Sequence, residues 1–212
     1  MLTEILRRTG LVAILRGVRS TEVADIGAAV FAAGVRIIEV PVGSPDAFAS
    51  IRILRTELPA GCLVGAGTVV SRSQVEEVRR AGGELIVMPH SDPEVIRAIK
   101  DADLAAMPGV ATPTEAFAAL AAGADALKMF PAELLGPPVV KAWRVVLPAT
   151  TLLVPVGGVT LDKLAGFAAA GAAGVGLGTA LYQPGASASD TGARAAAFVA
   201  AWQSAQGQRD RE

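Results

Sequence analysis

The chain is poor in the residues on which metal, thiol and aromatic chemistry depend. It contains one cysteine, one histidine, one tyrosine and two tryptophans among 212 residues, and aromatic residues make up only 4%. A lone Cys62 has no partner for an internal disulfide, which points to a reducing cytoplasm. With His90 the sole imidazole, a His/Cys metal centre would lack ligands. Charge is sparse and balanced: 19 Lys and Arg against 20 Asp and Glu leave a formal net charge of −1. That surface has no basic excess to hold nucleic acid. No uncharged apolar run approaches the roughly 18 residues that a membrane span requires. Residues 1–10 carry Glu4, Arg7 and Arg8 in a helical pattern, without the apolar core and cleavage site of a signal peptide. The expectation is a cytoplasmic protein that uses no metal, cofactor, nucleic acid or membrane.

Small and apolar residues are abundant: 52% of the chain is hydrophobic, with 23 Gly and 13 Pro. Eight short apolar runs recur: Leu11–Arg16, Val35–Val40, Leu63–Gly67, Leu85–Met88, Leu104–Met107, Ala126–Phe130, Leu152–Val156 and Gly174–Leu177. They do not alternate with polar residues, as expected of parallel strands covered on both faces. Ala-rich segments of helix length lie between them. Ser44-Pro45, Asp92-Pro93 and Thr112-Pro113 read as helix starts, since proline fits the first helical position. Thr112…Glu115 and Ser71…Gln74 read as capping boxes. Gly34, Gly82, Gly123 and Gly171 follow alanines at expected helix ends. Eight strand–helix units after a short leading helix predict an α/β fold, a (β/α)8 TIM barrel, as one domain spanning 1–212. An open doubly wound sheet is the alternative. Pro184–Gly192 reads as a loop, Ala193–Ala201 as a last helix, and 206–212 as a frayed tail.

Four lysines occur, and only Lys128 falls inside an apolar run. Lys100, Lys141 and Lys163 read as solvated helix faces. A charge within a core strand is costly unless paired or neutralised, and burial lowers a lysine pKa. A neutral amine is what imine formation with a ketone requires. The competing explanation is a structural ion pair or a side chain snorkelling at the strand end. Glu39, within Ile38-Glu39-Val40, is a second costly placement: a general acid/base with a raised pKa, or an ion-pair partner of Lys128 or Arg16. If the fold is a barrel, its active site lies at the carboxyl ends of the strands. That end would carry Arg16, Glu39, Thr68 and Lys128, with Gly157, Gly158, Gly178 and Thr179 placed to wrap a phosphate. Arg16 offers a donor fork for a carboxylate or phosphate. Thr68 either orients substrate or caps the next turn. Cys62 and His90 read as packing and loop residues.

Ile38-Glu39-Val40, Gly65-Ala66-Gly67-Thr68, Leu127-Lys128-Met129-Phe130-Pro131-Ala132 and Val156-Gly157-Gly158-Val159 together resemble one family. It is the pyruvate-forming class I aldolases acting on 2-keto-3-deoxy-6-phosphogluconate, and the likeness runs from Ile14 to Tyr182. Gly43-Ser44-Pro45 and the run from Pro108 to Phe117 are similar to the 2-dehydro-3-deoxy-6-phosphogalactonate branch. In that branch an asparagine commonly stands where this chain has Gly43. The resemblance implies Lys128 as Schiff-base lysine and Glu39 as proton donor and acceptor. It implies Arg16, Thr68, Gly157, Gly158, Gly178 and Thr179 as contacts to a phosphorylated keto-deoxy sugar acid. It further implies cleavage to pyruvate and glyceraldehyde 3-phosphate, and a homotrimer. A metal-free phosphosugar isomerase and a non-catalytic phosphosugar-binding protein are the rival readings.

Overall fold

The computed structural model describes residues 1–209. A helix, α1 (Leu2–Thr9), precedes β1 (Leu11–Ile14), and strands and helices then alternate. They run α2 (Val23–Ala32), β2 (Ile37–Pro41), α3 (Ala47–Glu57), β3 (Leu63–Gly67), α4 (Arg72–Arg80), β4 (Leu85–Val87), α5 (Pro93–Asp101) and β5 (Ala105–Met107). The second half adds β6 (Gly109–Val110), α6 (Pro113–Ala121), β7 (Leu127–Met129), α7 (Ala132–Val146), β8 (Leu153–Pro155), α8 (Leu164–Ala169), β9 (Val175–Leu177) and α9 (Ala188–Arg209).

All of the strand pairs are parallel. One ladder has the order β5-β4-β3-β2-β1-β9 and a second the order β6-β7-β8. Sequence neighbours are therefore spatial neighbours, and the last strand returns to pair with the first. An open doubly wound sheet, whose strand order reverses at a switch point, is excluded. The fold is a curled parallel sheet wrapped by helices. It differs from the expected eight continuous strands because the fifth is split into β5 and β6 at Pro108, which has no N–H to give to a ladder. A single parallel bridge, Val156 to Gly176, lies between the end of β8 and β9.

Two apolar layers follow from the two-residue period of the strands. Leu11, Ala13, Ile38, Val40, Leu127 and Met129 face outward into the helices. Val12, Ile14, Ile37, Leu63, Val87 and Val154 face inward, and Leu2, Ile5 and Leu6 of α1 pack against this inner layer. The alternation puts Glu39, between Ile38 and Val40, on the inner face. It does the same for Lys128, between Leu127 and Met129.

Helix starts follow the sequence unevenly. Asp92 accepts from the Glu94 N–H, and Thr112 with Glu115 forms the full capping box. Ser71 accepts from the Gln74 N–H, but the Gln74 amide accepts from Val70 instead of closing the box. The Ser44-Pro45 start is corrected: α3 begins at Ala47, after Asp46 in a left-handed conformation, because the Ser44 hydroxyl accepts elsewhere, from the Gly17 N–H. The four glycines at helix ends all have φ between 80 and 111°. The last helix starts five residues early, because the Ser187 hydroxyl accepts from the Asp190 N–H. It also continues through residues 206–209 of the expected tail, and 210–212 lie outside the described residues. Among the described residues no helix is long and apolar enough to cross a membrane.

Candidate active site

Eight residues singled out by sequence line one cavity of about 290 Å³ at the carboxyl ends of the strands: Arg16, Glu39, Thr68, Lys128, Gly157, Gly158, Gly178 and Thr179. The wall also includes Phe130, Pro89, Val156 and Val159, which sequence reasoning did not select. Phe130 had a signal, since it lies two residues after Lys128. Its ring centre is 4.8 Å from the Lys128 Nζ. Pro89 and Val156 had none, because an apolar residue at a strand end looks like core.

Lys128 and Glu39 are almost fully enclosed, at 6% and 1% exposure. No contact ion pair joins them among the described residues, so the structural-pair reading of each is not what the geometry shows. Lys100 and Lys163 are partly committed elsewhere. Lys100 pairs with Asp125 at 2.6 Å, which replaces the solvated face expected of it, and Lys163 donates to the Gly158 carbonyl at 2.8 Å. Burial pushes the Glu39 carboxyl up to about 7, against the opposing pull of the Lys128 and Arg16 charges. Burial likewise holds Lys128 below the ordinary lysine value; the Glu39 charge opposes this shift and the Arg16 charge adds to it. One Glu39 oxygen, Oε2, has no hydrogen-bond partner.

The backbone shapes the space around this carboxyl. A Cβ on Gly67 would overlap both the oxygens and the carbon of the Glu39 carboxyl, so the carboxyl sits where a side chain at 67 would otherwise be. A Cβ on Gly65 would collide with the Leu85 carbonyl of the neighbouring strand. The glycines of Gly65-Ala66-Gly67 thus keep β4 close on one side and leave room for Glu39 on the other. Beyond them, Thr68 holds φ at 61°, an uncommon value for a β-branched residue. Its hydroxyl accepts from Arg16 Nη2 at 3.2 Å, and Ser71 caps the next helix. Thr68 therefore does not cap the next helix, and it lines the cavity.

The glycine turns present backbone amides. The Gly157 carbonyl accepts from Glu133 N, and the Gly158 carbonyl accepts from Lys163 Nζ. In a trans peptide the carbonyl and the following N–H point opposite ways, so the Gly158 and Val159 N–H groups point away from Glu133 N and Lys163 Nζ, and both residues line the cavity. The Gly178 carbonyl accepts from Leu181 and Tyr182, which makes Thr179 and Ala180 the head of a tight turn with their N–H groups leading. Cys62 is buried, and its thiol is pushed up to about 11, far from reactive. His90 does not line the cavity; its carbonyl accepts from the Gly109 N–H.

The sequence pattern described as "Aldolase: KDPG and KHG aldolase" matches residues 2–195. The chain belongs to the KDPG and KHG aldolase family. It is 47% identical over 197 residues to a Rhizobium meliloti (strain 1021) protein named "Probable 2-dehydro-3-deoxy-6-phosphogalactonate aldolase", covering 93% of each. It is 44% identical over 195 residues to the 2-dehydro-3-deoxy-6-phosphogalactonate aldolase of Escherichia coli (strain K12), covering 92% of this chain and 95% of that one. The solved structure "Native KDPGal structure" superposes with a TM-score of 0.90 at 44% identity, over 92% of this chain and 95% of that chain. Family members are class I, Schiff-base aldolases, so a buried lysine among these strand ends has a chemical precedent.

The Glu39 shift has a measurable consequence for stability. Unfolded, this carboxyl titrates at about 4.5; folded, at about 7. At pH 4 both states hold the neutral acid. As pH rises through this window the unfolded state ionises first, so stability is lost, up to about 3 kcal/mol above pH 7. Glu39→Gln should therefore unfold at higher urea than the parent at pH 8 and at the same urea at pH 4. Equal midpoints at both pH values would mean that the carboxyl is not desolvated.

Proposed function

We propose that this chain cleaves 2-dehydro-3-deoxy-6-phosphogalactonate to pyruvate and glyceraldehyde 3-phosphate. The observation that carries the reading is the pairing of Lys128 and Glu39, both removed from water, on the inner face of the sheet beside one cavity. A lysine depressed by burial supplies the free amine that adds to the C2 ketone. A carboxyl poised near neutrality can both give and take protons.

In the sequence of steps, the Lys128 nitrogen bonds to C2, and Glu39 protonates the carbinolamine hydroxyl, which leaves as water. The resulting iminium draws electrons. Glu39, now a carboxylate, takes the C4 hydroxyl proton, the C3–C4 bond breaks, and its electron pair flows into the enamine. Glyceraldehyde 3-phosphate departs with the new C4 aldehyde. The enamine carbon takes a proton, and hydrolysis returns pyruvate and the free lysine. Arg16, held by Thr68, binds the carboxylate end through its donor fork. The amides of Gly158, Val159 and the Gly178–Thr179 turn bind the phosphate, with Gly157 setting the turn, and remote binding energy then aligns the C3–C4 bond.

The two ladders are taken as one closed eight-stranded barrel, supported by the Pro108 interruption and the Val156–Gly176 bridge. The chain is taken as one domain, as cytoplasmic, with its buried free thiol in support, and as a homotrimer. Leu134, Val145, Val146 and Phe117 leave large apolar surface exposed on α6 and α7, which suits self-association.

Borohydride reduction in the presence of pyruvate should attach a pyruvate-derived mass to Lys128, and Lys128→Ala should neither trap nor turn over. Glu39→Gln should still trap at saturating pyruvate while turnover falls by about 100-fold. No trap at any lysine would favour a metal-free isomerase or a binding protein instead, and a trap at another lysine alone would move the Schiff base away from Lys128. The C4 epimers meet the same lysine, so a coupled pyruvate assay with each decides the sugar. The galactonate derivative should show the higher kcat/KM; a higher value for the gluconate derivative would reverse the assignment.

A further inference from the structure

The hydroxyl of Ser44 stands in for a rung of the parallel ladder between β1 and β2. The ladder pairs Ile14 with Glu39, and the Leu15 N–H donates to the Glu39 carbonyl at 2.9 Å. Parallel rungs advance two residues on each strand, so the next would run from the Gly17 N–H to the Pro41 carbonyl. That carbonyl is already taken by the Ser44 N–H at 2.8 Å, and the Gly17 N–H donates to the Ser44 hydroxyl at 2.9 Å. Ser44 thus removes one acceptor with its backbone and replaces it with its side chain, and the two chains separate at this point. Ser44 is buried, at 8% exposure, and its hydroxyl caps no helix.

The peptide fastened in this way joins Arg16 to Gly17. It fixes the direction in which the Arg16 side chain leaves the backbone. Gly17 has φ 80° and faces the Pro184 ring, where a Cβ would be 2.7 Å from a ring carbon, so the turn is pinned from a second side. Arg16 then reaches into the cavity to Thr68 Oγ1. Three loops, after β1, β2 and β3, are joined through Gly17–Ser44 and Arg16–Thr68.

We infer that Ser44 is a positioning residue for the carboxylate-binding end of the cavity, acting through Arg16. This rests on the reading that Arg16 holds the substrate carboxylate. Ser44 does not line the cavity, so its effect is on where the guanidinium stands, not on chemistry at C2. Its loss leaves a half-buried N–H without an acceptor and frees the Arg16 peptide to rotate.

The test is a double-mutant cycle on the intact enzyme, with Ser44→Ala, Arg16→Ala and the double variant assayed in the aldol-addition direction. Pyruvate KM, kcat and inhibition by inorganic phosphate are read for each. Ser44→Ala should raise the pyruvate KM about tenfold, the loss expected when one buried hydrogen bond is removed. Its kcat should stay within about twofold of the parent and its phosphate inhibition constant should not move, because the phosphate end is held by other loops. In the Arg16→Ala background Ser44→Ala should add nothing, and Ser44→Thr, which keeps the hydroxyl, should restore most of the lost affinity. An unchanged pyruvate KM in Ser44→Ala would overturn the inference while leaving Arg16 in place. So would effects that multiply in the double variant, or a phosphate constant that rises in step with KM. If Arg16→Ala itself leaves the pyruvate KM unmoved, the reading of Arg16 fails and this inference falls with it. Should Ser44→Ala not fold, Ser44→Cys keeps the size but weakens the acceptor, and a smaller rise in KM alone is expected; no rise overturns the inference.

Discussion

Removal of water from two opposite charges is the constraint on which the rest depends. Lys128 and Glu39 share an enclosed space without touching as an ion pair, so each keeps a desolvation cost that contact would have offset. Those costs are the source of both unusual titrations. A closer pair would stabilise the fold and hold both groups charged, which is the wrong state for an amine that must attack a ketone. The stability given up at these positions and the proposed reactivity are two descriptions of one arrangement.

The sheet supports that arrangement with simple devices. The two-residue period alone puts positions 39 and 128 on the inner face, between outward neighbours that bury themselves against helices. Gly67 leaves the volume that the Glu39 carboxyl fills, and Gly65 keeps the next strand close. Where the ladders end, side chains take over: Ser44 accepts from Gly17, and Thr68 from Arg16. At another part of the cavity wall, Glu133 N and Lys163 hold two successive carbonyls, so the N–H groups that follow point away from both. The geometry of the cavity wall is thus set mostly by backbone hydrogen bonds that stop being regular at the strand ends.

Much of this could be read from the chain. Eight apolar runs without polar alternation, separated by capped helices, make a parallel α/β fold legible, and a lysine and a glutamate inside two of those runs are conspicuous because charges are expensive there. The proline that splits the fifth strand was visible, but its effect depends on which neighbour lacks a donor, and that is a matter of register. Ser44 was misread for a related reason. Ser-Pro is a good local helix start, and only the three-dimensional neighbour, the Gly17 N–H, draws the hydroxyl away. Pro89 and Val156 went unseen because an apolar side chain facing a cavity and one facing core have the same sequence signature. The length of the last helix was underestimated because its start depends on Ser187 as cap, within a stretch rich in loop-forming residues.

With only four lysines in the chain, the central claim can be tested on the nitrogen itself. Lysines labelled at Cε and Nζ can be followed by NMR across a pH titration, with Lys128→Met to assign the resonance. The account predicts that one lysine, missing from that variant, loses its proton below the ordinary value of 10.5, and lower still in Glu39→Gln, where the opposing charge is gone. A Lys128 resonance that titrates at the ordinary value of 10.5 would contradict it.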